Sequence, residues 1–347
     1  MSKLYRLLTI GICTVLLIVA CGRSPNSLKS DPATSASSES CRLVSHEMGE
    51  TKVCGQPQKV AALSPHILDS ILALGVQPSA YAEIKDLKLK TYDNPTEQIP
   101  YLGKWVKTQP VALGHELSPS LERLTLLQPD LILGEYWQED KYSLLTQIAP
   151  TLLFRDNYQP NQLRSWQQDI EGIARALGRE AQAQELLMEF DQQIAQAQTE
   201  LQPVLEAYPR IFLISSDLTT NVYSVHESTA ARLLQKIGFK IIQPPDIQGN
   251  SEISWEILPR VKTDLIIVLS YSSDRFYNSE DTTQKKWAKN PLLNSMPVFQ
   301  QGRVFFVDSY LWISHTRGPL TDKLILKALP DLLLDSVKKA ERAKNSA

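Results

Sequence analysis

The chain carries almost no excess of either charge: across its 347 residues, 36 Lys and Arg stand against 38 Asp and Glu, a net charge of −2. No basic field gathers phosphates and no local basic patch replaces one, so nucleic acid is not an expected partner. Long apolar runs are missing after the opening segment, which excludes a polytopic membrane protein. Catalytic signatures are missing as well. There is no G-x-S-x-G elbow, no G-x-x-x-x-G-K-[ST] or G-x-G-x-x-G loop, and no H-E-x-x-H. The one S-x-x-K, Ser336 to Lys339, falls in a polar C-terminal tail. An enzyme is therefore not expected. With 43% hydrophobic and 21% charged residues, the chain has the composition of a folded protein of about two domains.

Cysteine is scarce, and each of the four has a distinct place. Lys3 and Arg6 precede an apolar run over residues 7–20 that is too short to span a bilayer, the pattern of an export leader over residues 1–20. Its end, IVACG, resembles the bacterial lipobox, so Cys21 is expected to be lipidated and to anchor the mature chain at the membrane. Cys13 leaves with the leader. Residues 21–40 are dominated by Ser, Pro and small residues, a tether with an r.m.s. reach of roughly 25 Å. Cys41 and Cys54 then remain as a pair in an oxidising compartment and bracket RLVSHEMGETKV, expected as a disulfide-closed hairpin over residues 41–56 with its turn near residues 47–49. A metal site that added His46 would lack the ligand count of a closed thiolate site.

From residue 57 on, strand and helix signals alternate, so a mainly parallel α/β sheet is expected. KVAALS reads as a strand, and PHILDSILALG as a helix with Ser64 as cap, Pro65 in its first turn and Gly75 as its stop. A short strand around residues 80–84, a polar loop, the helix SPSLERLTLLQ, the strand DLILGE, a helix to Ile148 and the strand TLLF complete an N-terminal lobe over residues 57–160. Residues 161–207 form a Gln/Ala/Glu-rich helical connector, interrupted at Gly178, whose later part is about 26 residues or roughly 39 Å long. RIFLISS opens a second alternating series over residues 208–347, with NVYSV, STAARLLQKIG, FKII, SWEILPRV, DLIIVLS, RVFFVD and a helix beyond Pro319. SLERLTLLQPDLI (120–132) and SWEILPRVKTDLI (254–266) share six identities in thirteen ungapped positions, pairing Glu122 with Glu256. Two related lobes joined by helix leave a cleft between them.

These segments, together with LGHELSPSLERLTLLQPDLILGEYW and the closing LWISHTRGPL, resemble the helical-backbone class of periplasmic binding proteins, the receptors of iron-siderophore and cobalamin ABC importers. CRLVSHEMGETKVC and IPYLGKW look most like cyanobacterial members of that family. The resemblance implies two Rossmann-like lobes with mainly parallel sheets joined by one long helix (class III), and a ferric siderophore as ligand with no cofactor. It further implies a lipid-anchored monomer at the periplasmic face of the cytoplasmic membrane, delivering its ligand to an ABC permease dimer driven by a separate ATPase. Glu122 and Glu256 match the carboxylates, one per lobe, that meet permease arginines in such receptors.

Ligands of open parallel sheets sit outside the carboxyl ends of the strands. That places Tyr136 and Trp137 after DLILGE, Arg155 after TLLF, Tyr271 after DLIIVLS with Arg275 and Tyr277 behind it, and Tyr310 and Trp312 after RVFFVD. Trp105 and Arg317 join them as candidates. Aromatic walls with a few guanidinium groups suit a bulky anionic chelate. Cobalamin or haem is the alternative ligand within the class. Zinc or manganese would instead need His66, His115, His226 or His315 brought together, and no His-rich loop supports that.

Overall fold

The computed structural model describes residues 40–85, 87–155, 165–216, 221–244, 249–270, 279–312 and 316–345. Cys21, Tyr271, Arg275, Tyr277 and His315, expected above as functional or candidate residues, lie outside the described residues.

The described chain begins with the expected hairpin. β1 (Cys41–His46) runs antiparallel to β2 (Gly49–Cys54), with Cys41 opposite Cys54 and a disulfide between them. The turn is Glu47-Met48, and Gly49 follows at φ 114°, a conformation open to a residue without Cβ.

The first sheet holds β3 (Val60–Ala62), β4 (Pro78–Glu83), β5 (Val111–His115), β6 (Leu131–Glu135) and β7 (Thr151–Phe154) in the order β5-β4-β3-β6-β7, every pair parallel. Strands β3, β6 and β7 are buried at every residue because helices cover both faces, which is why they read as unbroken apolar runs. After β3 the Ser64 hydroxyl accepts from the Ile67 amide at 3.3 Å and Pro65 opens helix Pro65–Ala73; Gly75 ends it at φ 77°. The loop expected between β4 and helix Leu121–Leu127 contains β5, a correction. VALGH offers too little apolar alternation to announce a strand, and its pairing with β4 decides the matter.

The second sheet has six strands: β8 (Arg210–Ser216), β9 (Val222–Ser224), β10 (Lys240–Ile241), β11 (Glu252–Ile253), β12 (Leu265–Ser270) and β13 (Val304–Asp308). They run in the order β11-β9-β8-β12-β13, with β10 also on β8. The β8, β10, β12 and β13 pairings are parallel, whereas β9 and β11 add antiparallel edges. The segment SWEILPRV, matched to a helix by the internal repeat, is instead a turn followed by the 3-10 helix Leu258–Arg260. Pro259 has no N–H to give an α-helical bond, and the amides around it donate three residues back, Ile257 to Ser254 at 3.0 Å and Leu258 to Trp255 at 3.3 Å.

Helices Trp166–Leu177 and Glu180–Glu200 are separated by Gly178, left-handed at φ 63°. The second has 21 residues, about 32 Å, shorter than the expected run to residue 207. Pro203 cannot donate to the previous turn, so the helix ends at Leu201 and restarts as Gln202–Ala207.

The last helix, Pro319–Asn345, packs on helices Pro65–Ala73 and Glu180–Glu200. Asp69, from the N-terminal lobe, accepts the Leu320 and Thr321 amides at 2.8 and 2.9 Å and so caps this helix from outside it. Gly318 permits the approach, since a Cβ there would sit 2.4 Å from the Asp69 carboxyl carbon. Beside it the Arg317 carbonyl accepts from His66 Nδ1 at 2.6 Å, the Arg317 guanidinium pairs with Asp322, and Trp166 Nε1 donates to Asp322 at 2.9 Å. Arg317, expected at the ligand, is thus placed inside a clasp between lobes with only 3% of its surface exposed. Trp312 is likewise buried in the main core rather than presented to a cleft.

Replacing Cys41 and Cys54 together by Ala releases the chain-entropy constraint of a small loop and is expected to lower unfolding stability by about 3 kcal/mol. A urea melt checks it; an unshifted midpoint would show that edge packing alone holds the hairpin.

Candidate functional site

Three parallel strands of the first sheet lead to a glutamate at their carboxyl ends. Glu83 closes β4, Glu135 closes β6 and Glu116 follows β5; none is more than 1% exposed. Glu83 is the best satisfied: it accepts from the Tyr81 hydroxyl at 2.8 Å, the Ile84 amide at 2.7 Å and the Tyr310 hydroxyl at 2.7 Å. Tyr310 comes from the chain just after β13, so this last bond joins the carboxyl ends of the two sheets. A second bridge lies next to it, where the Tyr101 hydroxyl donates to Asp308 at 2.5 Å and the Tyr101 and Tyr310 rings stack 6.1 Å apart. Tyr101 adopts φ 55°, a strained choice for an aromatic residue that the two contacts hold in place.

Burial raises the carboxyl of Glu83 above its ordinary range, against the pull of its three donors. Glu116 is pushed up to about 8 by burial and by the nearby Glu83 charge, so it keeps its proton at neutral pH. The phenols of Tyr81 and Tyr310 are driven well above their usual value by burial and by Glu83, and they remain donors throughout the physiological range.

At the point where strand order reverses, between β3 and β6, the Gln138 amide fills the crevice. It donates to the carbonyls of Leu63 at 3.2 Å and Glu116 at 2.9 Å and accepts from the Glu135 amide at 3.2 Å. Gly134 makes room for it, because a Cβ there would lie 2.2 Å from the Gln138 side-chain oxygen. The switch point of this sheet is therefore filled by protein, and the accessible candidates stand around its rim.

At that rim Tyr136 and Trp137 follow β6 and Arg155 follows β7, as expected from the strand ends. Tyr136 is 36% exposed, and its phenol is raised by a hydrogen bond and charge from Glu139, with smaller effects of Glu47 and Arg155. Tyr136 and Arg155 thus share one neighbourhood. Arg155 is 37% exposed and forms an ion pair with Glu47 of the hairpin turn at 2.8 Å. Trp105 stands apart from this pair, packed against the core with the Lys104 ammonium 4.2 Å from its ring. Glu122 is exposed in the first turn of helix Leu121–Leu127. Glu256 is exposed in the turn before the 3-10 helix and accepts from the Ser254 hydroxyl.

Sequence inspection passed over Glu83, Glu116, Glu135 and Tyr101. A signal for the first three was present: AYAE, LGHE and LILGE each set an acid at the end of an apolar stretch. Among the described residues the histidines are not gathered. His66 lies in the clasp, His115 accepts from the Leu117 amide, and His226 sits beside Ser224 and Glu227. Among the described residues no group of three or more His, Cys, Asp or Glu is placed to hold a metal ion.

Two α/β lobes with facing carboxyl strand ends, spanned by helices and bridged by side chains, define a two-lobed solute receptor of the helical-backbone class. Residues 60–311 match the family described as periplasmic binding protein, and the chain belongs to that family. It is 24% identical over 323 residues to the probable siderophore-binding lipoprotein YfiY of Bacillus subtilis (strain 168), covering 90% of this chain and 93% of that protein. The Fe(3+)-citrate-binding protein YfmC of the same organism is 25% identical over 318 residues, 90% of this chain and 91% of its own. Among solved structures, Staphylococcus aureus SirA complexed with staphyloferrin B aligns with a TM-score of 0.67 at 21% identity, over 84% of this chain and 98% of that one. A periplasmic solute binding protein from Mycobacterium smegmatis aligns with a TM-score of 0.69 at 21% identity, over 86% and 99%. These likenesses show a shared fold.

Glu116 and Asp69, the latter pushed up to about 7 chiefly by burial, both hold a proton in the folded protein that the unfolded chain has released. Through these two carboxyls the folded protein binds more protons than the unfolded chain between about pH 4 and 8, so their contribution to stability falls as pH rises across that window, whereas His46, His66 and His226, lowered by burial, contribute in the opposite sense. Urea midpoints of the unmodified chain and of Glu116→Gln measured from pH 5 to 8 check this, and the variant is expected to gain stability relative to the unmodified chain as pH rises. A pH dependence unchanged by that substitution would mean Glu116 is ionised at neutral pH.

Proposed function

We propose that this protein is the solute-binding component of an ABC importer, that it captures a ferric siderophore or similar ferric chelate at the rim between its lobes, and that it delivers the chelate to a membrane permease. The observation that carries this is the agreement of a receptor fold with relatives, aligned over nine tenths of their length, named for siderophore and Fe(3+)-citrate binding. The rim supports it chemically: Tyr136 and Trp137 supply aromatic surface, and Arg155 supplies a fork for carboxylate or hydroxamate oxygens. Tyr271, Arg275 and Tyr277 belong to the same proposal from the opposite lobe, with Trp105 as an outlying aromatic. The iron stays wrapped in its chelator, so the protein needs no metal ligands of its own. The resemblance of IVACG to a lipobox supports a place at the outer face of the cytoplasmic membrane, with lipid on Cys21 as the anchor and the Ser-rich tether letting the body turn toward the permease.

Tryptophan fluorescence of the mature chain, titrated with ferric hydroxamates, ferric citrate, ferric catecholates, haem, cobalamin and zinc, tests the ligand class. Saturable submicromolar quenching by a ferric chelate, and none by the iron-free chelator, is expected. A response confined to cobalamin, haem or zinc would keep the fold and overturn the substrate.

Glu122 and Glu256, exposed and one per lobe, are proposed to meet cationic groups on the two permease subunits. Charge pairs of this kind give orientation and association rate more than affinity. Replacing both by Ala is expected to leave chelate affinity intact while uptake of iron by cells is lost; uptake at the normal rate would remove the docking assignment.

A further inference from the structure

The disulfide hairpin does more than extend the N-terminus, because its turn is fixed to the strand end that carries Arg155. The Glu47 amide donates to the Leu153 carbonyl at 2.9 Å, and the Leu153 amide donates to His46 Nδ1 at 3.2 Å. Both backbone groups of Leu153 are therefore taken by the hairpin turn. His46 Nδ1 also accepts from the Met48 amide at 3.3 Å, so that nitrogen carries no proton and Nε2 must. Nε2 then donates to the Thr51 hydroxyl at 2.9 Å, which passes its own hydrogen to the Thr151 carbonyl at 3.0 Å. The chain of donors is complete only for a neutral imidazole, and burial lowers the His46 pKa accordingly. The His46 ring lies 5.8 Å from that of Tyr142, and Arg42 ties the far end of the hairpin to the carbonyls of Gly55 at 2.7 Å and Ala176 at 3.2 Å. Glu47, held at the tip of this construction, presents its carboxylate to the Arg155 guanidinium at 2.8 Å.

We infer that Glu47 is a specificity-determining positioning residue: through its ion pair it fixes Arg155 at the rim and offsets its charge, so the receptor distinguishes ferric chelates by their charge. This rests on the proposed function of the rim. An anionic chelate approaching Arg155 competes with Glu47 for the guanidinium and meets its negative charge, whereas a neutral chelate meets only an oriented hydrogen-bond donor. The Cys41–Cys54 bridge closes the hairpin whose turn delivers Glu47, so the same preference depends on that bridge.

The test compares ferric citrate with a neutral ferric trihydroxamate on the mature chain and on Glu47→Gln, Arg155→Ala and the double variant. Gln keeps an acceptor for Arg155 and removes the charge. Glu47→Gln is expected to shift the affinity ratio toward ferric citrate by about fivefold, the size of effect for a partly exposed charge pair. The neutral chelate is expected to change less. In the Arg155→Ala background the Glu47→Gln shift is expected to vanish, which a merely structural role for Glu47 would not produce. The variant with Cys41 and Cys54 both replaced by Ala is expected to move the ratio in the same direction as Glu47→Gln. An unchanged ratio in Glu47→Gln, with the unmodified chain binding either chelate, overturns this inference and leaves the receptor function standing. If the unmodified chain binds no ferric chelate at all, the receptor function fails and this inference with it.

Discussion

The last helix starts in one lobe and is capped from the other, and the arrangement of the two sheets depends on that cap. Asp69 supplies the acceptor for two amides at its N-terminus, and the helix dipole there favours a negative charge. Burial opposes the charge strongly enough to push the carboxyl to about 7. Around this conflict sit Arg317 with Asp322, His66 and the Trp166 indole, all of them buried. Buried ion pairs of this kind recover little net stability after desolvation, yet breaking one partner is costly, so they specify an arrangement more than they strengthen it. Gly318 shows how tight that specification is, since a single extra carbon would collide with Asp69.

With the lobes fixed there, the carboxyl ends of the sheets face each other and their polar residues find partners across the gap. Tyr310 reaches Glu83 and Tyr101 reaches Asp308. Both Tyr310 and Tyr81 keep their hydroxyl hydrogen in the physiological range, so each retains a donor for Glu83. The helix between lobes is not one rod. Its breaks at Gly178 and Leu201 are sharp caps rather than slack segments, and it lies against the last helix, so the clasp and the connector constrain the same relative motion.

The elements that could be read from the sequence are those whose punctuation is local. Ser64, Pro65 and Gly75 mark one helix completely, and β6, β7, β8 and β12 announce themselves as unbroken apolar runs because a doubly covered parallel sheet needs nothing else. β5 escaped because its pairing with β4, not its pattern, makes it a strand. The repeat aligned Glu122 with Glu256 correctly as exposed residues but carried helix onto a segment where Pro259 forbids it. Among site residues, placement after a strand end located Tyr136 and Arg155 together. The same rule misplaced Trp312, since it gives the end of the sheet and not the direction in which a side chain leaves it. Arg317 was misassigned for a different reason: its partner Asp322 is local, but the His66 contact to its carbonyl and the Trp166 donor to Asp322, which bury the pair, come from packing between distant segments that spacing does not encode.

The buried acids support the proposal that recognition takes place at the rim. Three carboxyl groups at the strand ends of one sheet would repel an anionic chelate if all were ionised, yet Glu116 keeps its proton at neutral pH and Glu83 is covered by two phenols and an amide. Gln138 fills the crevice that a small ligand would use in other sheets of this topology. Under the proposed function the grip then comes from residues outside that crevice. Tyr136 and Arg155 are placed there because the strands before them end there, and Arg155 is held by a hairpin that is covalently closed.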